Sequence, residues 1–195
     1  YTHQTIGATD LNDKIEISTG TYDADGSFDA TGNTIDFTGA GRLQLSGSVT
    51  SLGSLDVAAG TVEYDGGTQS VLADTYYNLE IDQSGTKTTS GTVSTEGDIT
   101  ISGGTLDIDG NNLYCAGNFS NSGTLSSGST ATFFFDGNSA NTNVGGFSDT
   151  DINFRKTGSS NLTTTGNIDC RGFLLHENCS GSFIIDGETI NVSDY

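Results

Sequence analysis

The chain has 195 residues, with 28 Gly and no Pro, Met or Trp, and its formal net charge is −19. Because it carries only six Lys and Arg residues, it lacks the basic surface that nucleic acid or an anionic membrane requires, and we expect neither as a partner. No apolar run approaches the roughly 18 residues that a membrane-spanning helix needs, so we expect no membrane insertion. The absence of Pro favours an uninterrupted stack of strands, because Pro removes a backbone donor from a β-ladder.

Pairs of apolar residues, two positions apart, recur from the first part of the chain onward. Residues at this spacing face the same side of a strand. Most pairs are followed by a Gly, which, like Asn and Asp, tolerates the backbone of tight turns. The pattern predicts very short strands separated by turns. The pairs in the first half of the chain are Ile15/Ile17, Ile35/Phe37, Leu43/Leu45, Leu55/Val57, Val62/Tyr64 and Leu79/Ile81.

The stretch 97–117 shows the unit most clearly, since it divides into the sevens GDITISG, GTLDIDG and NNLYCAG. Each seven holds one apolar pair and ends in Gly. Three such units make about 21 residues, a repeat length typical of solenoids. We therefore predict an all-β chain that folds as a parallel β-solenoid with coils of about 20 residues. The alternative is an antiparallel β-sandwich or jelly roll, which also uses short strands and frequent turns.

A longer repeat relates the middle of the chain to its end. Residues 61–66 (TVEYDG) match 132–137 (TFFFDG), and similar matches follow at a nearly constant offset. No linker of distinct composition interrupts the chain, so we expect one domain. We predict that this domain is a single solenoid over 1–195. It is expected to consist of N-terminal coils at 1–59, a first repeat module at 60–130 and a second repeat module at 131–195.

Three strings follow one another in the middle of the chain: GTVEYDGGTQSV at 60–71, YYNLEID at 76–82 and GDITISGGTLDIDGNNLYCAGNFSNSGTL at 97–125. In this order they resemble the repetitive β-helical segments of large bacterial surface adhesins and autotransporter passengers. The resemblance implies a right-handed β-helix at the cell surface, and it brings no catalytic residues with it. The run 138–151 (NSANTNVGGFSDTD) departs from the pattern, and there we expect a loop or an irregular corner.

The chain has three cysteines. In the repeat alignment Cys115 corresponds to Ile185 and Cys170 to Ile101, so both should face the core, where a free Cys behaves as a small hydrophobe. Cys170 and Cys179 are close enough in sequence to close a small loop, and we expect them to form a disulfide in an oxidising compartment, leaving Cys115 free. The alternative is a Cys115–Cys170 disulfide, if the two residues are in register on adjacent coils.

Two acidic stretches resemble fragments of calcium loops, one with Asp23, Asp25 and Asp29 and one with Asp107 and Asp109. Neither has in place the bidentate Glu that closes a full calcium loop. Asp-Gly is also an ordinary turn dipeptide. We therefore expect no resident cofactor, and calcium at these residues is the one candidate.

Four Asn-x-Ser/Thr sequons, at Asn118, Asn161, Asn178 and Asn191, would accept glycans in a secreted chain. The chain begins at Tyr1 and contains no Met, as expected of a processed piece. Together with the resemblance to surface proteins, these features lead us to expect an extracellular or cell-surface location.

The sequence has no nucleophile elbow, phosphate loop or histidine-centred site, so we expect no enzymatic activity. A solenoid exposes strand edges at both ends, and these invite stacking unless they are capped. We therefore expect a homopolymer joined through the chain ends, as the subunit of an extracellular filament, stalk or adhesin. The alternative is a carbohydrate-binding or carbohydrate-active β-helix protein with surface polysaccharide as its partner. The aromatic pair Tyr76-Tyr77 is the candidate feature for that alternative.

Overall fold

Short strands follow one another along the chain, and each pairs in parallel with a strand about one coil later. The computed structural model describes residues 2–5, 9–10, 14–56, 58–138, 141–175 and 181–193. All regular elements in these residues are strands, and all their ladders are parallel, which confirms the all-β parallel β-solenoid and excludes the antiparallel sandwich. No helix in these ranges is long and apolar enough to cross a membrane.

The strands are short because each apolar pair is soon followed by a turn residue. In the described residues they are β1 (Thr2–Thr5), β2 (Thr9–Asp10), β3 (Ile15–Ile17), β4 (Thr21–Ala24), β5 (Phe28–Asp29), β6 (Thr34–Phe37), β7 (Arg42–Leu45), β8 (Val49–Ser51), β9 (Ser54–Asp56), β10 (Thr61–Tyr64), β11 (Gln69–Val71), β12 (Thr75–Tyr76), β13 (Asn78–Ile81), β14 (Thr86–Thr89), β15 (Val93–Thr95), β16 (Ile99–Ile101), β17 (Thr105–Asp107), β18 (Asn112–Cys115), β19 (Phe119–Asn121), β20 (Thr124–Ser126), β21 (Ala131–Phe135), β22 (Asn141–Val144), β23 (Phe147–Lys156), β24 (Asn161–Thr164), β25 (Ile168–Leu175), β26 (Phe183–Ile185) and β27 (Ile190–Val192).

The strands form three faces. The first face is one sheet in the order β1-β4-β7-β10-β13-β16-β19-β22-β24-β26. The second face holds two sheets, β2-β5-β8 and β11-β14-β17-β20. The third face begins with the sheet β3-β6-β9 and continues with β12-β15-β18-β21-β23-β25-β27. The first-face sheet is continuous from β1 to β26, so it connects all the coils along the length of the rod.

The core is a set of columns in which apolar residues stack on their equivalents one coil away. On the first face Leu43 pairs with Val62, which pairs with Leu79, which pairs with Ile99, and all four are buried. Register partners lie 17 to 25 residues apart, in agreement with the predicted coil length of about 20. Each such side chain contributes roughly 1.5–3 kcal/mol by leaving water, so a narrow column suffices to hold neighbouring coils together.

Glycine is required where neighbouring coils approach most closely. A Cβ on Gly137 would lie 1.7 Å from the backbone oxygen of Ala116 in the coil before it. Gly60 has φ 89°, and a Cβ there would lie 2.2 Å from the ring of Phe37. A side chain at either position would force neighbouring coils apart, which is one reason for the high Gly content.

Of the two expectations for 138–151, the loop is wrong for most of the described residues, whereas the irregular corner is confirmed by a shift in strand register. Residues 141–144 form β22 on the first face, and residues 147–151 begin the long strand β23. This coil is about five residues longer than the usual coil of about 20, because Phe119 pairs with Val144, 25 positions later. Strand β23 then continues past an irregularity between Asp149 and Asn153 onto the third face.

The segments matched by the longer repeat lie in different sheets. TVEYDG at 61–66 contains β10 of the first face, whereas TFFFDG at 132–137 contains β21 of the third face. Segments that look alike therefore occupy different positions of a coil, since an inward–outward alternation suits every face equally. The division into two modules stays a prediction.

Candidate functional site

Cys115 and Cys170 lie in the core, as predicted. Both side chains are fully buried, and the two thiols are not bonded to each other. The alternative pairing of these two residues is wrong, because Cys115 is in register with Phe135 of the next coil and Cys170 with Asp149. Cys179 lies outside the described residues, so the Cys170–Cys179 disulfide stays a prediction.

The buried thiol of Cys115 should make the protein less stable at alkaline pH. Burial raises its pKa from 9.0 to about 12, whereas an unfolded chain ionises near 9.0. Above pH 9 the unfolded state therefore loses this proton first and is favoured, by up to about 1.4 kcal/mol for each pH unit. The difference in unfolding free energy between the wild type and Cys115→Val should shift against the wild type between pH 8 and pH 10.5. Urea titrations under reducing conditions measure this difference, and a constant value would contradict the prediction.

The acidic candidates for calcium make turns within the chain. The Asp29 carboxylate accepts hydrogen bonds from the backbone N and the hydroxyl of Thr31, at 2.9 and 2.6 Å. The Asp107 carboxylate accepts one from the backbone N of Asp109, which has φ 45°. No group of three or more His, Cys, Asp or Glu in the described part of the chain could hold a metal ion. The carboxylates of Asp29 and Asp107 therefore stabilise turns of the chain through these hydrogen bonds.

Asp23 and Asp25, the other two calcium candidates, lie beside a further carboxylate. Burial raises the pKa of Asp23, and repulsion from Asp25 and Asp65 raises it further. Asp65 itself accepts hydrogen bonds from the side chains of Gln44 and Ser46, at 2.7 and 2.8 Å. These bonds cross from one coil to the next, so Asp65 stabilises the stack.

The sequon residues in the described part of the chain take part in bonds between coils. The side-chain oxygen of Asn118 accepts the backbone N of Asn143 at 2.9 Å, and that of Asn161 accepts the backbone N of Ser182 at 3.0 Å. The side chain of Asn191 is exposed and donates to Asp169. Asn178 lies outside the described residues. Glycosylation at these sequons stays a prediction.

Two of the six basic residues are buried, which was not predicted from the sequence. Lys87 is fully buried, and its Nζ donates to the carbonyl oxygens of Asp82, Gln83 and Ser84. Desolvation lowers its pKa, with Asp82 among the charges that oppose the shift. Lys156 is also buried and donates to Gly158 O at 2.7 Å. The signal was available, since Lys87 lies on the inward alternation of its strand.

Arg42 connects three coils on the outer side of the first face. Its guanidinium forms an ion pair with Glu63 and a second one, at 2.7 Å, with Glu80. Glu63 and Glu80 are ladder partners, so their charges would repel each other without the arginine. Burial raises the pKa of Glu63, and Arg42 opposes that shift. The Arg42 guanidinium, paired with two carboxylates, therefore stabilises the packing of three neighbouring strands.

The aromatic candidates lie elsewhere than the sequence indicated. Tyr76 is buried and Tyr77 is exposed, so they form no exposed pair. An outward stack is formed instead by Tyr114 and Phe134, whose parallel rings are 4.5 Å apart on the third face. Arg155 lies 5.8 Å over the Phe134 ring. The ring faces are occupied by each other and by Arg155, which makes the stack a structural ladder.

The last strands expose side chains that stand in core columns. Ile185 is the ladder partner of Thr164 and Val192 is the partner of Cys170, and both partners are buried. Ile185 and Val192 are nevertheless 49% and 52% exposed, because no described strand pairs beyond them. One further coil stacked on this end would bury both side chains.

More apolar side chains surround these two. Of the large apolar residues that are exposed in the described ranges, all but Tyr77 belong to this group. We call the group the apolar end, and it consists of Leu174, Leu175, Ile184, Ile185 and Val192. The sequence carried a signal, since FLL at 173–175 and FII at 183–185 break the alternation of apolar and polar residues.

Comparison with known proteins gives no match. No protein-family model, curated protein or solved structure matches this chain. The apolar end is the leading candidate site of this chain.

Proposed function

We propose that this protein is a non-enzymatic, extracellular structural protein whose copies join end to end, as subunits of a surface filament, stalk or adhesin. The single observation that carries the proposal is the apolar end, where core columns reach solvent. A monomer rarely leaves such a group of apolar side chains exposed, and an interface between copies would remove it from water.

A second copy is the occupant that fits this end best. The first-face sheet has β26 at one edge and β1 at the other, and each pairs with only one described strand. Because the ladders are all parallel, a copy in the same orientation can add its β1 to β26 and continue the sheet. This contact is head to tail, and such contacts generate open filaments unless a rotation closes them.

The rod between the two ends suits a mechanical role. Core columns and the Arg42 cluster connect strands of successive coils. An acidic surface with a net charge of −19 would oppose side-by-side association of rods. Growth would then be directed to the ends, where the apolar side chains lie.

Electron microscopy of the purified chain at neutral pH, across a dilution series, tests the proposal. We expect uniform fibres one solenoid wide that shorten on dilution. Ten first-face strands at about 4.8 Å spacing predict an axial repeat of about 48 Å. Isolated short rods at every concentration would overturn end-to-end assembly.

A further inference from the structure

An open groove of about 410 Å³ lies beside the second face, where the arrangement of strands changes. Its walls come from three successive coils, at residues 121–125, residues 146–148, and Asn167 with Asp169. The volume is within the range of about 300–1,000 Å³ that ligand sites commonly have. The groove is therefore formed by residues of several coils and not by the conformation of one loop.

The groove exists because the second-face sheet stops at β20. In the next coil β23 forms ladders with β21 and β25 on the third face and none with β20. Side chains cross the gap instead, since the Asp149 carboxylate accepts the backbone N of Ser127 at 2.6 Å and the Asn121 amide donates to Gly146 O at 2.8 Å. Along β20 the two coils are therefore joined by side chains, and no backbone ladder closes the cleft.

The walls of the groove are polar and its floor is apolar. Ser122, Thr124 and Ser148 bring hydroxyl groups to the rim, and all three residues are exposed. Leu125 and Phe147 lie at the bottom, where exposed fractions of only 1% and 5% leave little apolar surface open to a ligand. No Lys or Arg is found among the described residues that line it.

Two of the polar groups are held in place by the following coil. The side-chain oxygen of Asn167 accepts hydrogen bonds from the backbone N and hydroxyl of Thr189, at 2.9 and 3.1 Å. This contact orients the amide. The Asp169 carboxylate accepts hydrogen bonds from Asn191 and Ser148, which lower its pKa and keep it charged at neutral pH. A fixed carboxylate beside hydroxyls and an amide is a strong acceptor for ligand hydroxyl groups.

We propose that this groove binds a short segment of a neutral polysaccharide. Sugars present many hydroxyl groups at their edges, which match the hydroxyl, amide and carboxylate groups of the polar rim. An acidic sugar is disfavoured, because the groove has a carboxylate and no base and the whole chain is strongly acidic. The site would give the rod an adhesive function, and it does not depend on end-to-end assembly.

Titrations followed by saturation-transfer NMR, with chitotriose, maltotriose and mannotriose as neutral probes and trigalacturonate as the anionic one, test the proposal. We expect at least one neutral probe to bind with a dissociation constant on the order of millimolar, as suits a shallow groove. Ser148→Trp, which fills the groove, and Asp169→Ala, which removes the carboxylate, should each weaken binding at least about tenfold.

Ser70→Trp is the matched control, because Ser70 is exposed on the second face in β11, away from the groove. It should bind like the wild type. The proposal is overturned if no neutral probe binds, if binding survives both groove variants, or if trigalacturonate binds as tightly as the best neutral probe. Electron microscopy of the same variants should still show fibres, so a failure of the groove is separable from a failure of assembly.

Discussion

Ile185→Asp should abolish the long fibres while leaving the solenoid folded. The side chain ends a core column and is 49% exposed, so it contributes more to a joint between copies than to the fold of one copy. Burying an Ile contributes roughly 1.5–3 kcal/mol, and burying an unpaired carboxylate costs more. We expect the concentration needed for assembly to rise at least about 100-fold, as measured by sedimentation velocity and electron microscopy.

Ile184→Asp provides the matched control. Ile184 is the same residue type in the same strand and is similarly exposed, at 45%, but it pairs with Thr163 on the outward side of the sheet. A stacked copy would leave its outward position beside solvent, so this variant should still form fibres. Equal loss of fibres in both variants, or fibres in both, would contradict a joint through the core columns. Circular dichroism of both variants confirms that the rod itself is folded.

Phe133→Ala should lower the free energy of unfolding by about 3–5 kcal/mol, the usual cost of removing a buried Phe. Phe133 is fully buried, and its ring lies 4.6 to 6.3 Å from four other rings. These rings come from successive coils, namely Phe119, Phe135, Phe147 and Phe154. The cavity would therefore open in the middle of the stack, where the coils on both sides hold the backbone in place.

Phe134→Ala is the matched control, because it removes the same type of side chain from the next position of the same strand. Phe134 faces outward, where it stacks on Tyr114 and lies under Arg155. Such a stack contributes about 0.5–1.5 kcal/mol beyond burial, so we expect a loss of about 1 kcal/mol or slightly more. Urea unfolding of both variants measures the difference. A similar loss for the two would mean that the inward and outward positions of β21 are not as the structure has them.

Strand position and side-chain direction follow from the sequence alone. The apolar pairs at Ile99/Ile101 and Leu113/Cys115 lie in strands and face the core, as their spacing predicts. Alternation is a local property, because a strand turns neighbouring side chains to opposite sides whatever it pairs with. The coil length of about 20 residues could also be predicted from the sequence, because three of the seven-residue units make one coil.

The partners of polar side chains depend on the stack instead. Arg42 forms ion pairs with carboxylates that follow it in the chain by 21 and 38 positions. These contacts are not visible in a short window of sequence, unlike those of Lys87, whose three carbonyl partners lie three to five positions before it. Each ion pair of Arg42 depends on the register between coils, which is set by loop lengths that vary from coil to coil.

The candidate sites show the same division. The broken alternation at 173–175 and 183–185 marks apolar residues on both sides of a strand, but only the stack shows that Ile185 and Val192 have no partner above them. The groove is visible only in the tertiary structure, because it forms where β20, which pairs with β17 on one edge, has no ladder with β23 on the other. The sequence by itself determined the strands, their inward faces and the coil length, since these depend on residues near one another in the chain. The tertiary structure decided which edges and cavities stay open, because these depend on residues a whole coil apart.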